Sequence, residues 1–262
     1  MKPVDDSPGA RIRTAEEFYD NIAPQYDAMS GFERRFEKER PVFRALVERY
    51  RIKRALDAGC GSGFHSILLS QLDVDVTALD ISSEMVRLAK DNARMYQADF
   101  KVIKGGFQDT PPEWRESFDA VFVMGNSLPH LLSRNELRQA LASLSDVLSS
   151  KGLLFVQVLN YAKILARQEH VLNSREINGT TITRVYDYKA DDILFSVVTQ
   201  SAGTLSEAEK RETVRLRPVL SEELRDIFRE IGTRSVEFFG NMLLEPFEPL
   251  TSADLIAVAE KR

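Results

Sequence analysis

RALDAGCGSGFHSILLSQLDVDVTALD, residues 54–80, is the most informative stretch of this chain. It divides into a short apolar strand around Leu56, a turn with three glycines, a helix whose apolar face begins at Ile67, and a second strand, residues 74–79. This order of elements is that of a βαβ unit, and ligands of open α/β sheets lie outside the carboxyl ends of such strands. The stretch therefore predicts an α/β fold with a binding site at the glycine turn.

The turn and the carboxylate that follows the second strand indicate what kind of ligand binds there. Gly59, Gly61 and Gly63 permit backbone angles closed to other residues and let a ligand approach the main chain closely. Asp80, at the tip of the second strand, is placed to accept hydrogen bonds from the two hydroxyls of a ribose. We therefore predict a cofactor that contains a nucleoside. The alternative is an α/β protein whose glycines only make a tight turn.

The spacing of the glycines separates two classes of cofactor. A dinucleotide fingerprint, G-x-G-x-x-G/A, counted from Gly59 needs a small residue at position 64, where this chain has Phe64. The spacing here is instead G-x-G-x-G, with Asp57 two residues before it. This pattern resembles motif I of class I S-adenosylmethionine-dependent methyltransferases. The resemblance implies that Asp57 helps to hold the methionyl amino group of that cofactor and that Asp80 holds its ribose.

Composition and charge limit the partners and the compartment. The 262 residues are 43% hydrophobic and 29% charged, as in an ordinary soluble globular protein. The formal charge of −5 provides no electrostatic footprint for nucleic acid, so none is expected as a partner. No window approaches the roughly 20 apolar residues of a membrane helix, so no membrane association is expected. The single cysteine, Cys60, cannot form an internal disulfide, which predicts a reducing, cytoplasmic location.

Residues 1–53 are predicted to form an N-terminal helical cap. Residues 1–13 read as a loose tail, and Thr14 with Glu17 is a capping box that opens a helix. Pro24 is expected to end that helix, and Pro41 to interrupt a second one over residues 33–50.

A tyrosine follows the first of these prolines in an A-x-x-Y-D stretch, residues 23–27. A similar stretch precedes the core of small-molecule methyltransferases, where the Tyr closes over the cofactor near the sulfonium. The resemblance makes Tyr26 both a cofactor-binding and a catalytic candidate, with Tyr19 the weaker match. The alternative is that both rings only anchor the helix to the core.

Two further segments are expected to contact the adenosine. Ile81 and Met85, after the second strand, typically flank it in the family, although apolar residues at helical spacing also suit a core. After the third strand this chain has Gly106 where an Asp would be expected, so the adenine is predicted to be bound by backbone and by Phe107. Asp109 is an alternative partner for the adenine amino group.

The tip of the fourth strand, residues 119–124, supplies the remaining catalytic candidates. VMGNSLPHLL, residues 123–132, resembles the corresponding stretch of glycine N-methyltransferases, and in this fold the strand tip lies over the methyl group. The resemblance implies roles for Met124 in cofactor binding and for Asn126 and His130 in catalysis. Histidine titrates near neutrality and so suits proton handling. Alternatively, His130 opens the next helix and bonds a backbone carbonyl.

The fifth strand, residues 153–159, departs from the glycine enzymes. There an Arg before an N-Y pair binds the substrate carboxylate, whereas this chain has Leu159, which cannot make a bidentate contact. Arg34, Arg35, Arg40 and Arg184 are possible replacements, and the sequence does not select among them.

The rest of the chain predicts an insert and the end of the core. Residues 54–165 are predicted to form the cofactor-binding core, and residues 219–262 to complete the core sheet. From about residue 174 the chain is rich in Thr, Val, Ile and Tyr with alternation, which predicts that residues 166–218 form an antiparallel β insert over the acceptor pocket. Tyr186 and Tyr188 share a strand face and either line that pocket or pack across strands. The expected fold is therefore α/β and Rossmann-like, a doubly wound seven-stranded mostly parallel sheet with an antiparallel insert after the fifth strand.

The leading functional hypothesis is methyl transfer from S-adenosylmethionine to a small molecule, with N-methylation of a glycine- or sarcosine-like amine and S-adenosylhomocysteine as the product. Three alternatives stay open: O- or C-methylation of a small metabolite, a nicotinamide-dependent oxidoreductase, and a module that binds cofactor without turnover. No metal site is expected, because the histidines lie far apart in the sequence. An oligomer is possible, but the sequence does not specify one.

Overall fold

A computed structural model describes residues 11–177, 179–201 and 209–262. Within these ranges no helix is long and apolar enough to cross a membrane. The helices are α1 (Ala15–Ser30), α2 (Phe32–Tyr50), α3 (Phe64–Ser70), α4 (Ser83–Met95), α5 (Arg134–Asp146), α6 (Tyr161–Arg167) and α7 (Ser221–Glu230). The strands are β1 (Ile12–Arg13), β2 (Arg54–Ala58), β3 (Asp75–Asp80), β4 (Lys101–Lys104), β5 (Phe118–Val123), β6 (Leu148–Leu159), β7 (Val171–Ile177), β8 (Thr180–Tyr188), β9 (Ile193–Ser201), β10 (Lys210–Leu216), β11 (Ser235–Phe239) and β12 (Asp254–Glu260).

The central sheet has seven strands in the order β11-β12-β6-β5-β2-β3-β4. The five strands from β6 to β4 run parallel, whereas β12 is antiparallel to both β6 and β11. The predicted seven-stranded, mostly parallel sheet is therefore confirmed. The strand order reverses beside β2, which lies between β3 and β5, and ligands of doubly wound sheets bind in the crevice at this point.

Alternate residues of the central strands pack against layers on the two faces of the sheet. On β5, Val121 and Val123 belong to the apolar core shared with α1, α5 and α7, while Ala120 and Phe122 belong to the core shared with α2 and α3. This alternation follows from the two-residue period of a strand. It holds the carboxyl ends of β2, β3 and β5 rigidly at one edge.

The second sheet has the order β1-β10-β9-β8-β7. Strands β7 to β10 pair antiparallel and follow β6, the fifth strand of the predicted core, so an antiparallel insert at this place is confirmed. The segment predicted as a loose tail contributes a fifth strand, because Ile12 and Arg13 pair in parallel with Thr213 and Val214. Residues 1–10 of that tail lie outside the described residues.

The two predicted helix breaks are wrong. Helix α1 continues through Pro24 and α2 through Pro41, and α1 ends instead at Gly31, which has φ 72°. Both prolines lie on exposed helix faces, so their neighbours still bury one continuous apolar side. An internal proline destabilises a helix by about 3 kcal/mol, and here packing of the opposite face offsets that loss.

Candidate active site

The glycine turn lies over the tip of β3. Gly59, Gly61 and Gly63 have φ of 73°, 55° and 86°, which places all three in the left-handed region that favours glycine. The amide of Gly59 donates to the carbonyl of Leu79 at 2.7 Å, and the amide of Gly61 donates to the Asp80 carboxylate at 2.8 Å. The turn and the carboxylate therefore form one rigid unit.

Asp80 is 8% exposed and keeps acceptor capacity on the cavity side. Its Oδ2 accepts from Gly61 and its Oδ1 from the amide of Ser82 at 2.9 Å. Burial raises the pKa of Asp80 to about 6, partly opposed by these two bonds. An ionised carboxylate offers about four lone-pair sites, so two amides leave room for hydroxyl donors.

Asp57 lies beneath the turn rather than on the cavity wall. It is fully buried, and its Oδ2 accepts from the Ser66 hydroxyl at 2.6 Å. Its Oδ1 has no hydrogen-bond partner among the described residues, and burial raises the pKa of the carboxyl. A buried carboxylate oxygen without a donor is unfavourable, so Asp57 retains the capacity to accept a bond from a donor that reaches it.

The first cavity has a volume of about 330 Å³ and lies at the switch point of the sheet. Eight of the predicted cofactor-binding residues line it: Tyr26, Gly59, Gly61, Asp80, Ile81, Gly106, Phe107 and Met124. Gly63 and Met85 do not; both lie behind its wall, where Met85 is fully buried. Asp109, the alternative adenine partner, also lines this cavity, but one of its carboxylate oxygens accepts from the Gly106 amide at 2.7 Å.

A second cavity of about 300 Å³ adjoins the first and extends under the second sheet. Its wall is largely apolar, with Phe18, Ile22, Leu172, Phe195 and Leu216 among its side chains. The two cavities share the residues Tyr19, Tyr26, Ser30, Arg35, Gly125 and His130. A molecule in each would therefore meet across these side chains.

His130, a predicted catalytic residue, lines both cavities and contacts Tyr19. Its Nε2 lies 3.1 Å from the Tyr19 hydroxyl, and its Nδ1 is buried without a partner among the described residues. Burial lowers the pKa of His130 to about 4, so the ring is neutral at physiological pH. An imidazole with so low a pKa is a weak general base, while its contact with Tyr19 can orient the hydroxyl of that tyrosine.

Asn126 joins the tips of β5 and β6. Its φ is 70°, its Oδ1 accepts from the Leu159 amide at 3.0 Å, and its Nδ2 donates to the Tyr161 hydroxyl at 3.0 Å. Tyr161 and Tyr186 of β8 lie close enough to affect each other's pKa. Asn126 lines the second cavity, and its two hydrogen bonds join the tips of β5 and β6 to α6.

Of the four arginines proposed to replace the missing cation, two reach the second cavity. Arg35 and Arg184 line it, whereas Arg34 and Arg40 are exposed on α2. Arg35 also lines the first cavity; its Nε donates to Glu39 at 2.7 Å and its guanidinium lies 4.1 Å from the Phe64 ring centroid. Although burial raises it, the pKa of Glu39 is lowered to about 2 by hydrogen bonds from His65 and Arg35.

Sequence reasoning left the places of three tyrosines open. Tyr186 lines the second cavity, whereas Tyr188 does not and donates to the carbonyl of Glu169 at 3.0 Å. Tyr19, the weaker match by motif, lines both cavities and is the partner of His130. An aromatic residue two helical turns before Tyr26 in the same helix was the available signal for Tyr19. Within the described ranges no group of three or more potential metal ligands comes together.

Comparison with known proteins is consistent with this geometry. The family described as "Methyltransferase domain" matches residues 55–152. A glycine/sarcosine N-methyltransferase of Aphanothece halophytica is 26% identical over 228 residues, which cover 86% of this chain and 83% of that protein.

Two solved structures share the fold over nearly the whole chain. The CcbJ methyltransferase of Streptomyces caelestis superposes with a TM-score of 0.78 at 20% identity, covering 93% of this chain and 97% of its own. SAM-bound CalS10, an amino pentose methyltransferase of Micromonospora echinaspora, has a TM-score of 0.69 at 19% identity and covers 90% and 96% of the two chains.

Proposed function

We propose that this chain, which belongs to the S-adenosylmethionine-dependent methyltransferases, methylates the nitrogen of a small amine of the glycine or sarcosine kind. The observation that carries the proposal is the pair of adjoining cavities. One lies at the switch point and the other under the second sheet, and Tyr19, Tyr26 and His130 line both. Cofactor in the first cavity and acceptor in the second would meet at these side chains.

The residues of the first cavity suit the proposed cofactor. Asp80 has acceptor capacity for ribose hydroxyls, and Ile81, Gly106 and Phe107 provide an apolar and backbone surface for the adenosine. S-Adenosylmethionine also carries a carboxylate, and Arg35 is the guanidinium that lines this cavity. When bound, the cofactor supplies a methyl group already activated on a sulfonium and leaves as S-adenosylhomocysteine.

The protein's contribution to the reaction is alignment. Methyl transfer by in-line displacement gains most from holding the two reactants in one orientation. The hydroxyl of Tyr26 lies 3.4 Å from the position that a Cβ would occupy at Gly61, so this ring covers the glycine turn. Tyr19, held by His130, lies beside it with ring centroids 6.1 Å apart. Together they would narrow the passage between the cavities.

The nucleophile must reach the methyl group without a proton. No carboxylate other than Glu39 lines the second cavity in the described part of the chain, and Glu39 is engaged by Arg35 and His65. Since His130 is also a weak base, we propose that the amine loses its proton to water before or on entry. The apolar wall favours the neutral amine over the ammonium ion.

A small acceptor fits the size and charge of the site. The second cavity holds about 300 Å³, and the net charge of −5 does not favour a polyanion. The relatives named glycine/sarcosine N-methyltransferase support an amine acceptor. Cys60, the single cysteine, is free and buried in the turn, which supports a cytoplasmic location.

Transfer of labelled methyl groups from S-adenosylmethionine tests the proposal. The acceptors are glycine and sarcosine beside amines without a carboxylate, carboxylic acids and alcohols. Label on nitrogen supports the proposed function. Label only on oxygen or carbon, or no transfer to any amine, would overturn it.

A further inference from the structure

Arg184 is the guanidinium of the second cavity that no carboxylate neutralises. It lies on β8, opposite Asn173 of β7 in the sheet register, and its Nε donates to Asn173 Oδ1 at 3.0 Å. No Asp or Glu of the described residues comes within 4.0 Å of it, whereas Arg35 is paired with Glu39. Its terminal nitrogens therefore keep donors for a ligand.

The surroundings of Arg184 make its charge unfavourable as it stands. Burial lowers the pKa of its guanidinium, and the neighbouring Arg175 lowers it further. An arginine remains protonated in proteins, so this shift expresses a cost of holding the charge rather than its loss. A carboxylate arriving in the cavity would relieve that cost and form charge-assisted hydrogen bonds.

Leu159 belongs to the same cavity. This residue, at the tip of β6, contributes only an apolar side chain to the wall. A carboxylate in the cavity therefore has two cations within the lining, Arg35 and Arg184. Arg35 is shared with the first cavity, where the cofactor's own carboxylate needs a partner, so Arg184 is left for the acceptor.

We propose that Arg184 binds the carboxylate of the methyl acceptor, so that the second sheet selects amines that carry a carboxylate. The inference rests on the proposed function, because it names the substrate class of the same site. The carboxylate would then be bound by a strand of the insert, β8, and not by a residue at the tip of the core strand β6. Tyr26 and Tyr186, which lie close enough to Arg184 to influence its charge, would face the same group.

Glycine and glycinamide form the test pair, because both have the amine, but glycine has a carboxylate where glycinamide has a neutral amide. Arg184→Gln should raise the KM for glycine about 10- to 100-fold, the range expected for a charged hydrogen bond. The kcat of this variant for glycine should change less than about threefold, because a contact made equally in the bound substrate and in the transition state affects KM and not kcat. Its KM for glycinamide should also change less than about threefold, because glycinamide has no carboxylate to lose the contact. Arg184→Lys should have a KM for glycine between those of wild type and Arg184→Gln, since lysine keeps the charge but lacks the paired N–H donors of the guanidinium.

Arg215→Gln is the matched control. Arg215 lies on β10 of the same sheet, is paired with Asp192 at 3.1 Å and lines neither cavity. It should leave both KM values unchanged. Melting temperatures and the Kd for S-adenosylmethionine, measured for every variant, separate misfolding from lost recognition.

Binding of glycine to protein saturated with S-adenosylhomocysteine, followed by calorimetry, reports recognition without turnover. Weaker binding to Arg184→Gln than to wild type supports the inference. Equal binding to the two proteins, no binding to wild type, or an equal penalty for glycine and glycinamide would overturn it. Transfer only to amines without a carboxylate would overturn the role of Arg184 while leaving N-methylation of a small amine intact.

Discussion

Asp80 owes its unusual pKa to its position between the turn and β3. Burial raises the pKa to about 6, and the nearby Asp57 and Asp20 carboxylates add to the rise, while the amides of Ser82 and Gly61 oppose it. Ribose hydroxyls donate, so they bind the ionised carboxylate better than the protonated one. The charge of this one side chain therefore couples cofactor affinity to pH.

Acidification should weaken cofactor binding through Asp80. Because the free carboxyl titrates near pH 6, its ionised form falls about tenfold between pH 7 and pH 5. The Kd for S-adenosylhomocysteine, measured by calorimetry, should rise by about that factor.

Asp80→Asn should bind S-adenosylhomocysteine at least 100-fold more weakly than wild type at pH 7, since a charged pair of hydrogen bonds contributes roughly 3 kcal/mol or more. Its Kd should also be nearly independent of pH over this range. Unchanged affinity in the variant would contradict the ribose assignment.

We propose that Tyr26 contributes to turnover more than to stability. Its hydroxyl has no hydrogen-bond partner among the described residues, and the ring lines both cavities. Tyr26→Phe should therefore lower kcat at least about tenfold while shifting the free energy of unfolding by less than about 1 kcal/mol. Tyr96→Phe, on the stacked cluster with Phe36 away from the cavities, is the control and should leave kcat unchanged. A lower melting temperature with normal kcat would mean that Tyr26 only anchors the helix.

Helix α1 depends on contacts at both of its ends. Thr14 and Glu17 form the predicted capping box at its start, with the Glu17 amide donating to the Thr14 hydroxyl at 3.2 Å. Further along, Asn21 donates to Glu212 of β10 at 3.0 Å, and Arg13 of β1 donates to the same carboxylate at 3.1 Å. Glu212 is buried, so these bonds fix α1 and β1 to the second sheet. The helix that carries Tyr19 and Tyr26 is thereby held to the second sheet.

The glycine turn and α4 pack closely enough to test with a single methyl group. A Cβ at Gly63 would lie 3.1 Å from Ala89 Cβ and 3.3 Å from the Phe100 ring, whereas a Cβ at Gly232 would meet nothing within 4 Å. Both have positive φ, so alanine at either destabilises by about 1–2 kcal/mol through backbone strain alone.

Gly63→Ala should therefore destabilise more than Gly232→Ala. The crowding of Ala89 and Phe100 adds about 1–3 kcal/mol to the strain that the two variants share. Urea unfolding of both variants measures the difference. Equal losses would show that α4 moves aside at little cost.

The stability of the whole molecule combines two opposite pH effects. His130 has a pKa lowered to about 4, so below pH 6.5 the unfolded chain binds a proton that the folded protein does not. Folding stability from His130 is therefore lost as pH falls from 6.5 to 4. Asp80 has a raised pKa, so the folded protein binds the extra proton between about pH 6 and 4, and stability from Asp80 increases as pH falls.

Removing His130 should expose the contribution of Asp80. From pH 7 to pH 5, the free energy of unfolding of wild type falls by about 2 kcal/mol because of His130, and Asp80 offsets part of this loss. Between pH 7 and pH 5, the free energy of unfolding of His130→Gln should therefore rise by about 2 kcal/mol relative to that of wild type, whatever the stability of the variant at pH 7. Urea unfolding at both pH values gives the result. A difference between the proteins that does not vary with pH would mean that His130 remains accessible to protons.

Local sequence patterns were sufficient to predict the central sheet and the place of the first cavity at its edge. The glycine turn, Asp80, and the tip of β5 each depend on a few neighbouring residues whose backbone angles and strand ends follow from residue type. The topology of parallel strands then brings these ends to one edge. Most predicted cofactor-binding side chains consequently line one cavity.

The second cavity could not be predicted in this way, because its wall comes from segments far apart in the chain. The presence of Arg35 and Arg184 in that wall, the low pKa of His130 and the continuity of α1 through Pro24 all depend on burial and on partners across two sheets. Burial, desolvation and long-range pairing are properties of the packed chain, so local spacing contains no measure of them.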